Sequence, residues 1–122
     1  MKVIRLAGTC SAGGVLAKVT GQNVTGYIEK VEMDYVDGDT GADLTFTVEG
    51  ITSQALLTVT NAGTADAVWY PRHTGNKAAD ASAYTNWATK HFLNAESVGV
   101  SVAQGGNAKD FVMLIHVSDG LQ

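Results

Sequence analysis

The segment from Ser97 to Val117 constrains the fold more than any other part of this sequence. Valines alternate with small residues from Val98 to Val102, the stretch Gln104–Asn107 interrupts the pattern, and an apolar run resumes from Phe111 to Ile115. Two β-branched runs joined by glycines are typical of a hairpin, because glycine allows the positive φ angles that tight turns need. The sequence therefore predicts a β-hairpin. Since both faces of the second run are largely apolar, we expect this pair at the centre of a sandwich.

The same two-residue period recurs in the first half of the chain. Leu44, Phe46 and Val48 alternate with polar residues between Asp43 and Glu49, which is typical of a strand with one face on the core. From Tyr27 to Val36 the pattern predicts a longer strand, in which one set of alternating positions is apolar and the other is mostly charged. That apolar set comprises Tyr27, Val31, Met33 and Tyr35.

Shorter apolar runs complete the prediction of secondary structure. They are Val3–Ala7, Val15–Val19, Ala55–Thr60, Ala67–Tyr70 and a short piece at Phe92-Leu93. About eight strands separated by turn residues predict an all-β fold, a single-domain antiparallel β-sandwich or barrel that spans residues 1–122. No long helical patterns alternate with the strands, so a parallel α/β sheet is disfavoured.

One alanine-rich segment, from His73 to Lys90, breaks this rhythm. Loops of that length inside a domain are usually functional or contain structure of their own. One hypothesis is a short helical turn that caps the sandwich and buries Trp87 over the core. The other is an arm that packs against another subunit, with Tyr84 and Trp87 as anchors, because these residue types are enriched at interface centres.

Composition excludes several classes of protein. The chain has 122 residues, a hydrophobic fraction of 45% and a formal net charge of −4. Its lysines and arginines are scattered singly, whereas a nucleic-acid groove needs clustered positive charge. No apolar run approaches the roughly 20 residues of a membrane-spanning helix. In Met1–Gly8 charged residues lie among apolar ones, which indicates a first strand and not a signal peptide, and hence a cytoplasmic protein.

Metal-binding patterns are weak in this sequence. Asp34, Asp37, Asp39 and Asp43 crowd around two glycines, and such loops can hold Ca²⁺, but the spacing does not complete an EF-hand. A hydrophilic turn is the favoured interpretation, with calcium binding as the alternative. His116 follows apolar residues on one strand face and is interpreted as a buried or rim histidine.

No catalytic motif is present either. The chain has one cysteine, Cys10, which excludes an internal disulfide and is interpreted as a strand-end thiol because no histidine or asparagine stands in a partner motif. The glycines at Gly105-Gly106 lack the following helix and lysine of a phosphate-binding loop. We therefore expect no enzyme, no catalytic or metal-ligating residues and no cofactor.

Four blocks of the sequence resemble a known group of proteins. They are Lys2–Leu6, Leu56–Asn61, Trp69–Arg72 and Val100–Lys109, and in their order and spacing they are similar to small β-rich proteins of the head modules of tailed bacteriophages. The resemblance implies a jelly-roll-like sandwich without a cofactor. It also implies a capsid decoration, or cement, protein on the virion surface, with the major capsid protein as partner and a homo-oligomer on the capsid. The segment His73–Lys90 looks longer and richer in alanine than in that group.

Three groups of residues are candidates for partner binding. Trp69, Tyr70 and Arg72 beside Pro71 form the first anchor cluster, although aromatic residues at strand positions usually pack inward. Tyr84 and Trp87 form the second. Lys2 and Arg5 lie in a first strand that is predicted to pair with the capsid or a second copy by strand addition. Two other functions stay open, a head-to-tail joining or tail component and a carbohydrate-binding surface module that stacks sugars on these aromatic rings.

Overall fold

The computed structural model describes the backbone of residues 2–76 and 83–119 and the side chains of residues 2–72 and 90–119. Its strands are β1 (Lys2–Thr9), β2 (Leu16–Thr20), β3 (Val24–Met33), β4 (Asp43–Glu49), β5 (Ser53–Val59), β6 (Ala67–Trp69), β7 (His73–Asn76), β8 (Ala83–Thr89), β9 (Phe92–Ala103) and β10 (Asp110–Ser118). Eight of them form an antiparallel sheet in the order β1-β10-β3-β9-β4-β5, with β2 on β9 and β6 on β3, while β7 and β8 pair with each other. The predicted all-β, sandwich-like fold is confirmed.

Strand β9 joins two layers of this sheet. Its first part pairs with β3, through Val24 opposite Glu96 and Tyr27 opposite Phe92. From Ser97 onwards it pairs with β4 on one side and with β2 on the other. The change falls near Ala95, which has a φ of 53°. Strands that bend in this way turn the corners of β-sandwiches, so one layer holds β1, β10, β3 and β6 and the other holds β2, β9, β4 and β5.

Side chains from both layers form one core. The ring of Phe46 on β4 lies 6.3 Å from that of Trp69 on β6, centroid to centroid. Along β4 the alternation is as predicted, because Leu44, Phe46 and Val48 are buried and the residues between them are half-exposed. Burial of one such side chain contributes roughly 1.5–3 kcal/mol, so the core provides the main driving force for the fold. Its other fully buried large members are Leu6, Ile28, Val31, Met33, Leu93, Val98, Val100, Met113, Ile115 and Val117.

The predicted C-terminal hairpin is wrong in its pairing. Both strands exist and each is central in its layer, but β9 lies between β2 and β4 whereas β10 lies between β1 and β3. The turn at Gln104–Lys109 therefore carries the chain from one layer to the other, as a β-arch. A two-residue period places apolar side chains on one face of each strand. The period is the same in two strands that pair in one sheet and in two strands that face each other across a core, so it does not distinguish a hairpin from an arch.

A β-bulge at Glu29 changes the parity predicted for β3. His116 of β10 lies opposite Lys30 and Val117 lies opposite Ile28, so Glu29 is the extra residue. Ile28 is consequently buried and Tyr27 is 36% exposed, although the sequence predicted Tyr27 on the inward face. A bulge adds one residue to one strand and so reverses the side to which the following residues point.

The alanine-rich segment is a pair of strands in its described part. His73 pairs with Thr89, and Asn76 pairs with Ala83, in an antiparallel hairpin that we call the arm. Residues 73–76 and 83–89 therefore form no helical turn, while residues 77–82, to which that hypothesis also extends, lie outside the described residues. In the part of the chain that the structure describes, no helix could span a bilayer.

Close packing of the arch predicts a stability defect at Gly105. A Cβ atom there would lie 2.8 Å from the Cys10 sulfur and 2.9 Å from Val102, so we expect Gly105→Ala to lower the free energy of unfolding by about 1–3 kcal/mol. Gly13→Ala is the control, because a Cβ atom at Gly13 has no neighbour closer than 3.9 Å. Urea denaturation measures both. Equal midpoints for the two variants would contradict the packing of the arch.

Candidate functional site

The register of the first layer gathers several functional candidates at one end of the molecule. Lys2 on β1 lies opposite Val117 on β10, and the next residue of β10, Ser118, lies opposite Tyr27 on β3. Tyr27 in turn lies opposite Phe92. The arm begins and ends beside this row, after Arg72 and before Lys90. We call this the arm end; it comprises Lys2, Tyr27–Glu29, Tyr70–Arg72, Lys90–Phe92 and Ser118.

Glu29 attaches both ends of the arm to the sheet. Its carboxylate accepts hydrogen bonds from Ser118 Oγ and from Lys90 Nζ, the latter at 3.0 Å, with an ion-pair distance of 2.9 Å to its other oxygen. Its carbonyl oxygen accepts a hydrogen bond of 3.2 Å from Arg72 Nη1. The residues that flank the arm on either side, Arg72 and Lys90, therefore both contact the bulged residue Glu29.

These contacts also change the acidity of Glu29. The hydrogen bond from Ser118, and then that from Lys90, hold the pKa of the Glu29 carboxyl below its ordinary value of 4.5. Both partners stabilise the charged form, and partial burial opposes them only in part. Glu29 is therefore a carboxylate at neutral pH and keeps its ion pair with Lys90.

Exposed aromatic side chains surround this attachment. The rings of Tyr27 and Phe92 lie 5.0 Å apart with an interplanar angle of 59°, and their side chains are 36% and 44% exposed. Tyr70 is 64% exposed at the point where the chain leaves β6. Rigid aromatic residues at the surface are typical of protein interfaces, because they bury a large area with little loss of conformational entropy.

The structure separates the members of the first predicted anchor cluster. Trp69 is half-buried and packs on the core against Phe46. It therefore packs inward, as aromatic residues at strand positions usually do. Tyr70 and Arg72 are exposed at the arm end. The side chains of Tyr84 and Trp87 lie outside the described residues.

The first strand keeps both of its predicted candidates on the surface. Lys2 and Arg5 are exposed on β1, and Lys2 belongs to the arm end. In the described part of the chain neither of them forms an ion pair.

At the opposite end of the sandwich, the aspartate-rich loop is held by its own hydrogen bonds. Asp37 Oδ1 accepts the backbone N–H of Asp110 at 2.8 Å, and Asp43 Oδ1 accepts that of Asn61 at 3.0 Å. Asp39 lies against Gly106, and a shallow cavity of about 760 Å³ runs between the two loops. No group of three or more metal-ligating side chains occurs within the described residues. The carboxylates thus fasten loops together, which favours the turn interpretation.

Cys10 and His116 both lie where the sequence predicted them, one directly after the last residue of β1 and one at the rim of the core. Cys10 is 3% exposed, and burial followed by the charge of Asp110 raises the pKa of its thiol. It packs as a core residue beside Gly105. His116 is half-buried on the outer face of β10, with Nε2 2.7 Å from Glu32 Oε1, as expected for a rim histidine.

Sequence reasoning missed Glu29, Lys90 and Ser118. They are 89 residues apart at the extremes, and only the fold brings them together. One local signal existed, since Ile28 is a large apolar residue in the otherwise charged set of alternating positions of β3. A break in strand alternation of this kind is the sequence mark of a bulge.

Comparisons with known proteins give no relative for this chain. No protein-family model matches the sequence, and neither the curated proteins nor the solved structures include a significant match.

Acid titration tests the role of Glu29. Since its pKa is lower in the folded chain, its contacts stabilise the fold above the ordinary pKa of 4.5, and this contribution is lost as the pH falls through the folded pKa. We expect Glu29→Gln to reduce the loss of stability as the pH falls below about 5. We also expect faster amide exchange in β7 and β8 at neutral pH.

The matched control is Glu49→Gln in the other layer. Ser53 and Lys18 help to lower the pKa of Glu49 to about 2, and its carboxylate lies 3.0 Å from Lys18. This variant should also flatten the acid transition, but it should leave amide exchange in the arm unchanged. Equal exchange rates in the arm for wild type and both variants would show that Glu29 does not hold the arm.

Proposed function

We propose that this chain is a structural virion protein of a tailed phage that binds the outside of the capsid and reinforces it, as decoration or cement proteins do. The sequence resemblance to head-module proteins suggests this role. The structural observation that supports it is the arm, which pairs with itself and leaves the sheet beside exposed aromatic side chains. The proposed partner is the major capsid protein, with further copies of the chain beside it on the shell.

The arm supports a binding role because an isolated two-stranded hairpin is at best marginally stable in water. Its two strands, of 4 and 7 residues, form a sheet of their own. Packing against a neighbouring protein would provide the additional contacts that stabilise such a hairpin. A rigid sandwich with a projecting arm can reach across a boundary between subunits, which is the geometry that reinforcement of a shell requires.

Exposed aromatic residues favour the arm end as the docking side. Lys2, Arg72 and Lys90 lie there, together with the carboxylates of Glu29 and Asp119. The opposite end carries aspartates in its loops, at positions 34, 37, 39, 43, 66 and 110. The exposed aromatic residues Tyr27, Tyr70 and Phe92 belong to the arm end as well. Interfaces are enriched in aromatic residues and arginine and depleted in lysine, glutamate and aspartate, so the aromatic residues and Arg72 are what favour this end for a protein partner.

The geometry gives less support to carbohydrate binding. Sugar stacking needs an accessible aromatic face, whereas Trp69 is half-buried and packs against Phe46. Tyr70 is the remaining exposed ring of the first anchor cluster.

Binding to phage heads tests the proposal. Heads that lack the protein, from the phage that encodes it, should co-sediment with the purified chain and gain resistance to heat. We expect Tyr70→Ala combined with Arg72→Ala to weaken co-sedimentation roughly tenfold, because exposed aromatic and arginine residues are common hot spots.

Asn107→Ala is the matched control, since Asn107 is exposed at the opposite end. It should bind heads like the wild type. A chain that stays in the supernatant with mature heads, or that forms a closed ring in solution and binds only the portal region, would refute the capsid-surface role.

A further inference from the structure

Strand β1 offers a long and regular free edge. It ends the order of the eight-stranded sheet, and its register with β10 runs unbroken from Lys2 to Thr9. Among the described residues its backbone has no hydrogen bond on the other side. The opposite edge strand, β5, is interrupted by a register shift at Leu56. Bulges protect sheet edges from further pairing, so β1 is the edge that can accept a strand.

A groove runs along the first half of this edge. Lys2–Arg5 form one wall, while Thr20–Gln22 and Val24 form the other, around a cavity of about 690 Å³. Gly21 closes the groove against Ile4, because a Cβ atom at position 21 would lie only 2.6 Å from Ile4 Cγ2. An extended segment in this groove would meet the free backbone groups of β1 on one side and the side chains of Thr20, Gln22 and Val24 on the other.

The charge of the groove indicates the chemistry of its occupant. Lys2 and Arg5 are the charged residues that line it, and no carboxylate lines it, although the chain as a whole has a net charge of −4. In the described structure both are exposed and without an ion pair. Because Arg5 is three residues after Lys2, the two side chains lie on opposite faces of the strand. Pairing with β1 of a second copy would bring like charges together, which is unfavourable.

We propose that the edge of β1 binds an extended acidic segment of the shell protein by strand addition, with two carboxylates three residues apart that face Lys2 and Arg5. The claim that the segment comes from the shell protein rests on the proposed function. The claim that the segment is extended and acidic rests on the groove alone. Strand addition of this kind gains affinity from main-chain hydrogen bonds and specificity from alternate side chains. Lys2 and Arg5 therefore select the segment, and the backbone of β1 holds it.

A peptide measurement tests the groove without any capsid. The probe is a blocked decapeptide of threonine and valine with two aspartates three residues apart, and its partner probe has lysines at those two positions. We expect the acidic peptide to bind, to slow amide exchange at residues 3–6, and to bind more weakly as salt is added. Lys2→Glu combined with Arg5→Glu should weaken its binding by about three- to tenfold.

The charge-reversed variant supplies a positive readout. It should bind the lysine peptide in preference to the acidic one, which loss of folding cannot produce. Gln54→Glu combined with Thr58→Glu, on the β5 edge, should bind both peptides like the wild type. Peptides that protect no residue of β1, or a charge reversal that leaves peptide preference unchanged, would overturn the inference. Failure of the wild type to bind phage heads, with peptide binding intact, would count against the capsid role instead.

Discussion

The bend of β9 is the constraint on which the rest of this structure depends. One strand pairs with β3 before the bend and with β2 and β4 after it, so both layers share a single backbone. Val98 and Val100 then lie fully buried between the layers. Because the bend fixes how the layers face each other, it also decides which strand ends meet, and so it places the arm beside the start of β1 and the end of β10.

Local patterning predicted most of the strands but not their partners. The alternation in β4 was correct residue by residue, since a strand with one polar face and one apolar face has only one way to bury itself. The hairpin prediction for Ser97–Val117 failed because glycines at Gly105 and Gly106 allow both a tight turn within a sheet and an arch between layers. Here Gly105 packs against Cys10 and Phe111, and Gly106 has a φ of 99°. Those contacts are long-range, and no local pattern contains them.

For the candidate site too, the sequence predicted some residues and missed others. Tyr70, Arg72, Lys2 and Arg5 were found from residue type and position, and the fold leaves all four exposed. Trp69 was not separable from Tyr70 by sequence, although one faces the core and the next faces solvent. Glu29 was invisible as a site because its role arises from contacts with Lys90, Arg72 and Ser118, which come from three other segments.

The rigid core, the attached arm and the basic edge of β1 meet at one end of the molecule, which is the end that we propose docks on the capsid. A cryo-EM reconstruction of phage heads that carry the chain is the most direct measurement of this arrangement. We expect added density on the outer surface, with the arm and the β1 edge against the shell and the loops at Asp37–Asp39 and Gln104–Asn107 facing solvent. Density in the reverse orientation, with those loops on the shell and the arm in solvent, would contradict it, as would bare heads.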